Sequence, residues 1–180
     1  MTGPSRESIL DLLVSKIFSE KIINNAHRGD LVEMMVLAAL GEEWKFVGLG
    51  WHPWDLQKGQ GKDRVRLQVK QAAALQLWGE TKDMAVHFGW RSQAPQYFKR
   101  DNPHEAIEDS GYFCEIIVAG LHLEKDKAVV DQVDPNQWQF CVVPTKELPE
   151  RQGSMRVEKV LERWPAVGFG ELRQKVEAVS

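Results

Sequence analysis

The sequence predicts an α+β or α/β sandwich around one mixed sheet, and three observations lead there. Helix-forming segments open the chain, three strand-like segments follow, and after a mixed middle two apolar, β-rich runs lead into closing helices. At 180 residues the chain is long enough to bury a core of its own. No internal repeat, low-complexity tract or linker divides it, so residues 1–180 read as a single domain.

The elements follow in order. Ser5 to Ile23 has helical spacing, with Ile9, Leu12, Leu13, Ile17 and Phe18 as a stripe and Ser5 and Ser8 as candidate caps. Asn24, Asn25 and Gly29 break the chain, and Asp30 is the expected N-cap of a second helix that runs to Leu40 and stops at Gly41. That helix is apolar nearly all round, as in a helix buried on more than one side. Trp44 to Leu49 reads as a first strand, and 54–57 and 64–71 as the next two. Ala72 to Trp78 fits a helix or a continued strand equally, and Met84 to Phe88 a short strand. Asn102-Pro103 opens a helical stretch to Asp109, with Asn as cap and Pro at the first helical position. Tyr112 to Leu121 and Gln137 to Val143 are strands by their β-branched and aromatic content. Arg156 to Arg163 and Gly170 to Val179 close the chain as helices.

A net charge of −3 excludes a protein coated in basic residues, but not a local basic groove. Cys114 and Cys141 lie far apart in apolar runs and read as buried thiols of a reducing compartment. With no secretory signal and no apolar run of membrane-spanning length, a cytoplasmic location is expected. Of the seven tryptophans, Trp44, Trp54, Trp78 and Trp138 read as core, and Trp51 and Trp90 as nearer the surface.

Chemistry concentrates in the alternating pair Trp54-Asp55-Leu56-Gln57 and Arg64-Val65-Arg66-Leu67-Gln68-Val69-Lys70-Gln71, joined by a Gly- and Lys-rich loop. Successive strand side chains point to opposite faces. Val65, Leu67 and Val69 are therefore expected in the core with Trp54 and Leu56, while Arg64, Arg66, Gln68 and Lys70 line the other face with Asp55. A half-solvated structural strand gives the same polar stripe. An acid, an amide carbonyl and an amine on one face can hold a divalent metal against a phosphodiester and steady the attacking water. Glu33 is the only acid between Leu31 and Leu40, and it sits either on that helix's wet face or beside such an ion.

These residues resemble the PD-(D/E)XK nuclease superfamily, whose pattern is a glutamate on the first core helix, an aspartate on the second strand and (D/E/Q)-x-K on the third. Glu33, Asp55, Gln68 and Lys70 match those roles in order, over roughly residues 28 to 145. The resemblance implies a restriction endonuclease-like αβββαβ core, preceded by an N-terminal helix within 1–27 and followed by a helical extension over 146–180. It also implies Mg2+-dependent cleavage of DNA, with Mn2+ able to substitute and Glu33, Asp55 and Gln68 around the metal. Pro53-Trp54-Asp55 departs from adjacent Pro-Asp, and Gln68 replaces the usual acid, as in the Mrr-like branch. Lys62, Arg64 and Arg66 are the candidate DNA phosphate contacts. A homodimer is expected if both strands are cut. The alternative is a nuclease fold that has lost catalysis and serves as a DNA-binding or protein-interaction module.

Other motifs lead nowhere. Lys58 to Asp63 lacks the G-x-x-x-x-G-K-[ST] pattern and precedes a strand, so it is no phosphate loop. His104-Glu105 has no second histidine at metalloprotease spacing, and His52 and His87 lack ligand partners at recognisable spacing.

Overall fold

The structure is a computed structural model that describes residues 3–48, 52–101 and 107–180. Leu49, Trp51 and the expected helix start at Asn102, Pro103, His104 and Glu105 lie outside the described residues. The first helix, α1 (Arg6–Ile17), begins where Ser5 accepts the Ser8 N–H on its side chain. It ends earlier than expected and buries none of its residues; Ile9, Leu12 and Leu13 stay about half exposed.

The second helix, α2 (Asn25–Leu40), starts before Asp30, because Asn24 supplies the cap by accepting the Ala26 N–H. Gly41, at φ 82°, ends it in a conformation that glycine adopts without strain. Three short strands and one long one follow: β1 (Trp44–Phe46), β2 (Leu56–Lys58), β3 (Val65–Ala73) and β4 (Leu75–Gln76). The ambiguity over Ala72 to Trp78 resolves as strand, and Trp78, expected in the core, is 76% exposed just past β4. Next come β5 (Gly79–Glu80), β6 (Ala85–His87), α3 (Gln96–Asp101), β7 (Ile116–His122), β8 (Trp138–Pro144), β9 (Ser154–Arg156), α4 (Val157–Arg163) and α5 (Leu172–Glu177). The helix α3 has no counterpart in the sequence reading.

A central mixed sheet in the order β1-β2-β3-β7-β8 carries the molecule, and helices flank it. Only β3 and β7 run parallel, in register Leu67↔Ile116 through Ala73↔His122, and the other pairs are antiparallel. Because β7 is buried along its whole length, its residues divide between two cores by alternation. Ile116 and Val118 join Leu67 and Val69 under α2 and α5 (Val32, Val36, Leu172, Val176). Ile117, Ala119 and Leu121 join Phe98 of α3 and Val160 and Trp164 at α4 on the other face. Both cysteines are buried. Among the described residues no helix is long and apolar enough to cross a membrane.

The docking of α2 depends on Gly120 of β7. A β carbon there would stand 2.9 Å from Val32 Cγ1, 3.4 Å from Trp138 and 3.5 Å from Phe140. Gly120→Ala is therefore expected to lift α2 off the sheet and cost about 1–3 kcal/mol in urea unfolding. A midpoint equal to the parent's would show that this contact is slack.

Candidate functional site

The site forms where β2 stops short of β3. The two strands pair as far as Leu56↔Leu67. One residue earlier the Asp55 N–H still donates to the Leu67 carbonyl (3.0 Å), while Val47 and Gly48 both donate N–H groups to the Asp55 carbonyl. Beyond that point the Asp55 carboxylate takes over, and its Oδ2 accepts the Val69 N–H at 2.7 Å. The side chain thus caps the free edge of β3 in place of a further β2 residue.

This turn overrides the expected alternation. Trp54 packs with Phe98 in one core and Leu56 with Leu67 in the other, so they do not share a face. The physical reason is that β2 begins only at Leu56, and period-2 alternation does not extend back through the turn at Asp55.

On β3, Gln68 and Lys70 alternate with buried Leu67 and Val69 and stand opposite Ile117 and Ala119 of β7. Gln68 donates its Nε2 to the Pro53 carbonyl at 3.4 Å, which leaves its Oε1 as an acceptor. Lys70 is half-buried beside Asp55, Cys114 and Glu33. Burial lowers its ammonium from the ordinary lysine range, and the attraction of those groups partly offsets that. Burial likewise raises Asp55, against the Val69 N–H and Lys70.

Glu33 comes from α2. Burial first, then the negative charges of Asp55 and Asp30, push its carboxyl up to about 7, and Lys70 pulls it down. Glu33, Asp55 and Lys70 therefore lie within electrostatic reach of one another, with Gln68 two residues from Lys70. A cation between the two carboxylates would relieve both the burial cost and their mutual repulsion. Among the described residues no group of three His, Cys, Asp or Glu side chains forms a metal cluster. The donor set that fits is two carboxylates with the Gln68 amide oxygen, hard oxygens of the kind Mg2+ takes alongside water.

Sequence reasoning passed over what holds α2 in place. Arg28 is completely buried, and among the described residues its hydrogen-bond partners are all side-chain amides. Its guanidinium donates to Gln71 Oε1 (2.8 Å), Asn25 Oδ1 (2.7 Å), Gln76 Oε1 (2.8 Å) and Gln132 Oε1 (3.4 Å). These bonds tie α2, about a turn and a half before Glu33, to β3 one residue beyond Lys70.

The three expected phosphate contacts separate. Lys62 is exposed on a short 3-10 turn, and Arg64 lies over the Trp54 ring at 5.3 Å. Arg66 is corrected. It is only 7% exposed, and its guanidinium is clamped by Glu115 (2.5 Å) and Glu108 (3.2 Å). Four of its five donors are spent inside the protein, because two acids beyond the hairpin fold back onto it. His52 makes edge contacts with Trp54 and Phe98, and His87 is exposed.

Among solved structures, a bacterial homing endonuclease, I-Ssp6803I, aligns with 74% of this chain and 77% of its own. Sequence identity is 15% and the TM-score 0.39, a likeness too loose to bear on function. No family model matches the chain, and no curated protein does.

Proposed function

We propose that this chain is a metal-dependent DNA endonuclease of PD-(D/E)XK type. What supports the reading is the mutual electrostatic influence of Glu33, Asp55 and Lys70 where the Asp55 carboxylate caps the open edge of β3, with Gln68 two residues before Lys70. Asp55 and Glu33 would hold Mg2+, and Gln68 would complete the set with a neutral oxygen. When bound, such an ion polarises the phosphoryl oxygen and lowers the pKa of water. Asp55 is fixed by the Val69 N–H, so its second oxygen keeps one direction. Lys70 orients the attacking water and offsets negative charge that grows on the phosphate. Because Gln68 brings no charge, Glu33 carries more of the cation's. Cutting both strands calls for two such sites, so a symmetric dimer is the expected active form.

The test is nicking of supercoiled plasmid with Mg2+, with and without EDTA. Activity that survives both chelation and the Asp55→Ala, Lys70→Ala double substitution rules the mechanism out. Metal-independent, salt-sensitive DNA binding without cleavage would favour the inactive module instead.

Gly89 supplies a finer expectation. Its φ is +72°, and a β carbon there would stand 3.0 Å from Gln68 Oε1 and 3.7 Å from Lys70 Cε. Gly89→Ala is expected to push Gln68 aside and lower cleavage about tenfold to a hundredfold, since small misplacements are costly in a positioned site. Unchanged nicking by this variant would remove Gln68 from the proposed set.

A further inference from the structure

We propose that Arg91 grips the phosphate under attack, a role that rests on the nuclease reading and names the anion-binding half of that site. The segment carrying Arg91 runs against the candidate residues. Two positions earlier, Gly89 packs against Gln68 and Lys70: a β carbon there would press on Gln68 Oε1 at 3.0 Å and touch Lys70 Cε at 3.7 Å. Arg91 itself is pinned by its backbone, exchanging two hydrogen bonds with Gly111 (3.0 and 2.8 Å) in an antiparallel bridge. Its side chain is exposed, and none of the described carboxylates forms an ion pair with it.

The charges around it are arranged in two halves. Glu33 and Asp55 bring negative charge. The Arg91 guanidinium lies within electrostatic reach of Lys70. Two neighbouring cations repel each other unless an anion lies between them. A phosphodiester is such an anion, and its charge grows as a nucleophile attacks. A guanidinium suits it further, with planar paired donors that match two phosphate oxygens. Arg66, one of the arginines the sequence singles out, gives four of its five donors to Glu108 and Glu115.

The experiment compares wild type, Arg91→Ala, Arg91→Lys and Asp55→Asn on supercoiled plasmid and on bis(p-nitrophenyl) phosphate, both with Mg2+. The small diester has no flanking phosphates, so it reports contact with the reacting group alone. The expected result is a fall of about 10²-fold in kcat for Arg91→Ala on both substrates, with partial recovery in Arg91→Lys and an unchanged melting temperature. Wild-type rates in Arg91→Ala beside an inactive Asp55→Asn would overturn the proposal and leave the nuclease reading standing. A higher KM on plasmid alone would also overturn it, placing Arg91 on a remote phosphate. If the wild type cleaves neither substrate, the nuclease reading fails, and duplex binding against salt decides on Arg91. A log–log slope shallower by about 0.9 in Arg91→Ala upholds the phosphate contact, and an equal slope overturns it.

Discussion

Asp55→Asn is expected to yield a folded protein whose DNA cleavage falls by about 10³-fold. The substitution is nearly isosteric, and an amide oxygen can still accept the Val69 N–H that Asp55 Oδ2 accepts at 2.7 Å. The edge of β3 therefore stays capped, and urea unfolding should move by less than about 1 kcal/mol. What disappears is the negative charge that a divalent cation needs, and Glu33 with neutral Gln68 cannot replace it. Asp55→Ala should lose the same activity and also about 1–3 kcal/mol, because the Val69 N–H then lacks its partner. Equal cleavage by Asp55→Asn and wild type would mean that this carboxylate serves the fold alone.

The largest effect on stability is expected at Arg28. Arg28→Met removes a fully buried guanidinium and takes the donor from Gln71 Oε1 and Gln76 Oε1, while Asn25 Oδ1 keeps Gln71 Nε2 and Gln132 Oε1 keeps the Ile23 N–H. Orphaned buried acceptors cost about 1–3 kcal/mol each, so after relaxation a loss of about 3–5 kcal/mol is expected in urea unfolding. That is a large share of the stability of a domain this size. A loss under about 1 kcal/mol would show that the amides re-pair among themselves and that α2 is held chiefly by Val32 and Val36. A middle case is informative too. If the variant folds but cleaves poorly, the Arg28 network also sets where Glu33 stands relative to Lys70.

Much of the fold was legible in the sequence because it rests on period and punctuation. The alternation of Val65, Leu67 and Val69 gave β3 its buried face, and Gly41 marked the end of α2. The closing helices lie within the expected segments 156–163 and 170–179. Errors fell where side chains act on the backbone. Asn24 displaced Asp30 as a helix cap because either residue type can accept the orphan N–H groups, and only the chain's path chooses between them. Trp54 changed faces because Asp55 ends a strand with its side chain, an arrangement with no periodic signature. Trp78 left the core because two short strands turn it outward just where the apolar run suggested burial.

The site was legible in part. Motif order put Glu33, Asp55, Gln68 and Lys70 on adjacent elements, and the fold brings the three charged groups within reach of one another. Arg66 misled because an arginine on a polar face looks free until Glu108 and Glu115, more than 40 residues later, return to it. Arg28 and Arg91 were missed for the same reason. Each is defined by partners or a clearance far away in sequence, and the nearest local hint was Gly89, two residues before Arg91.

Glu33, Asp55 and Gln68 are expected to hold a divalent cation beside Lys70. Anomalous scattering from a crystal soaked in Mn2+ measures it directly. The expected result is a peak about 2.2 Å from an Asp55 oxygen, with Glu33 or Gln68 as a further ligand and water on the Lys70 side. A crystal that takes up Mn2+ elsewhere, with no peak at Asp55, would show that these residues do not form a metal site.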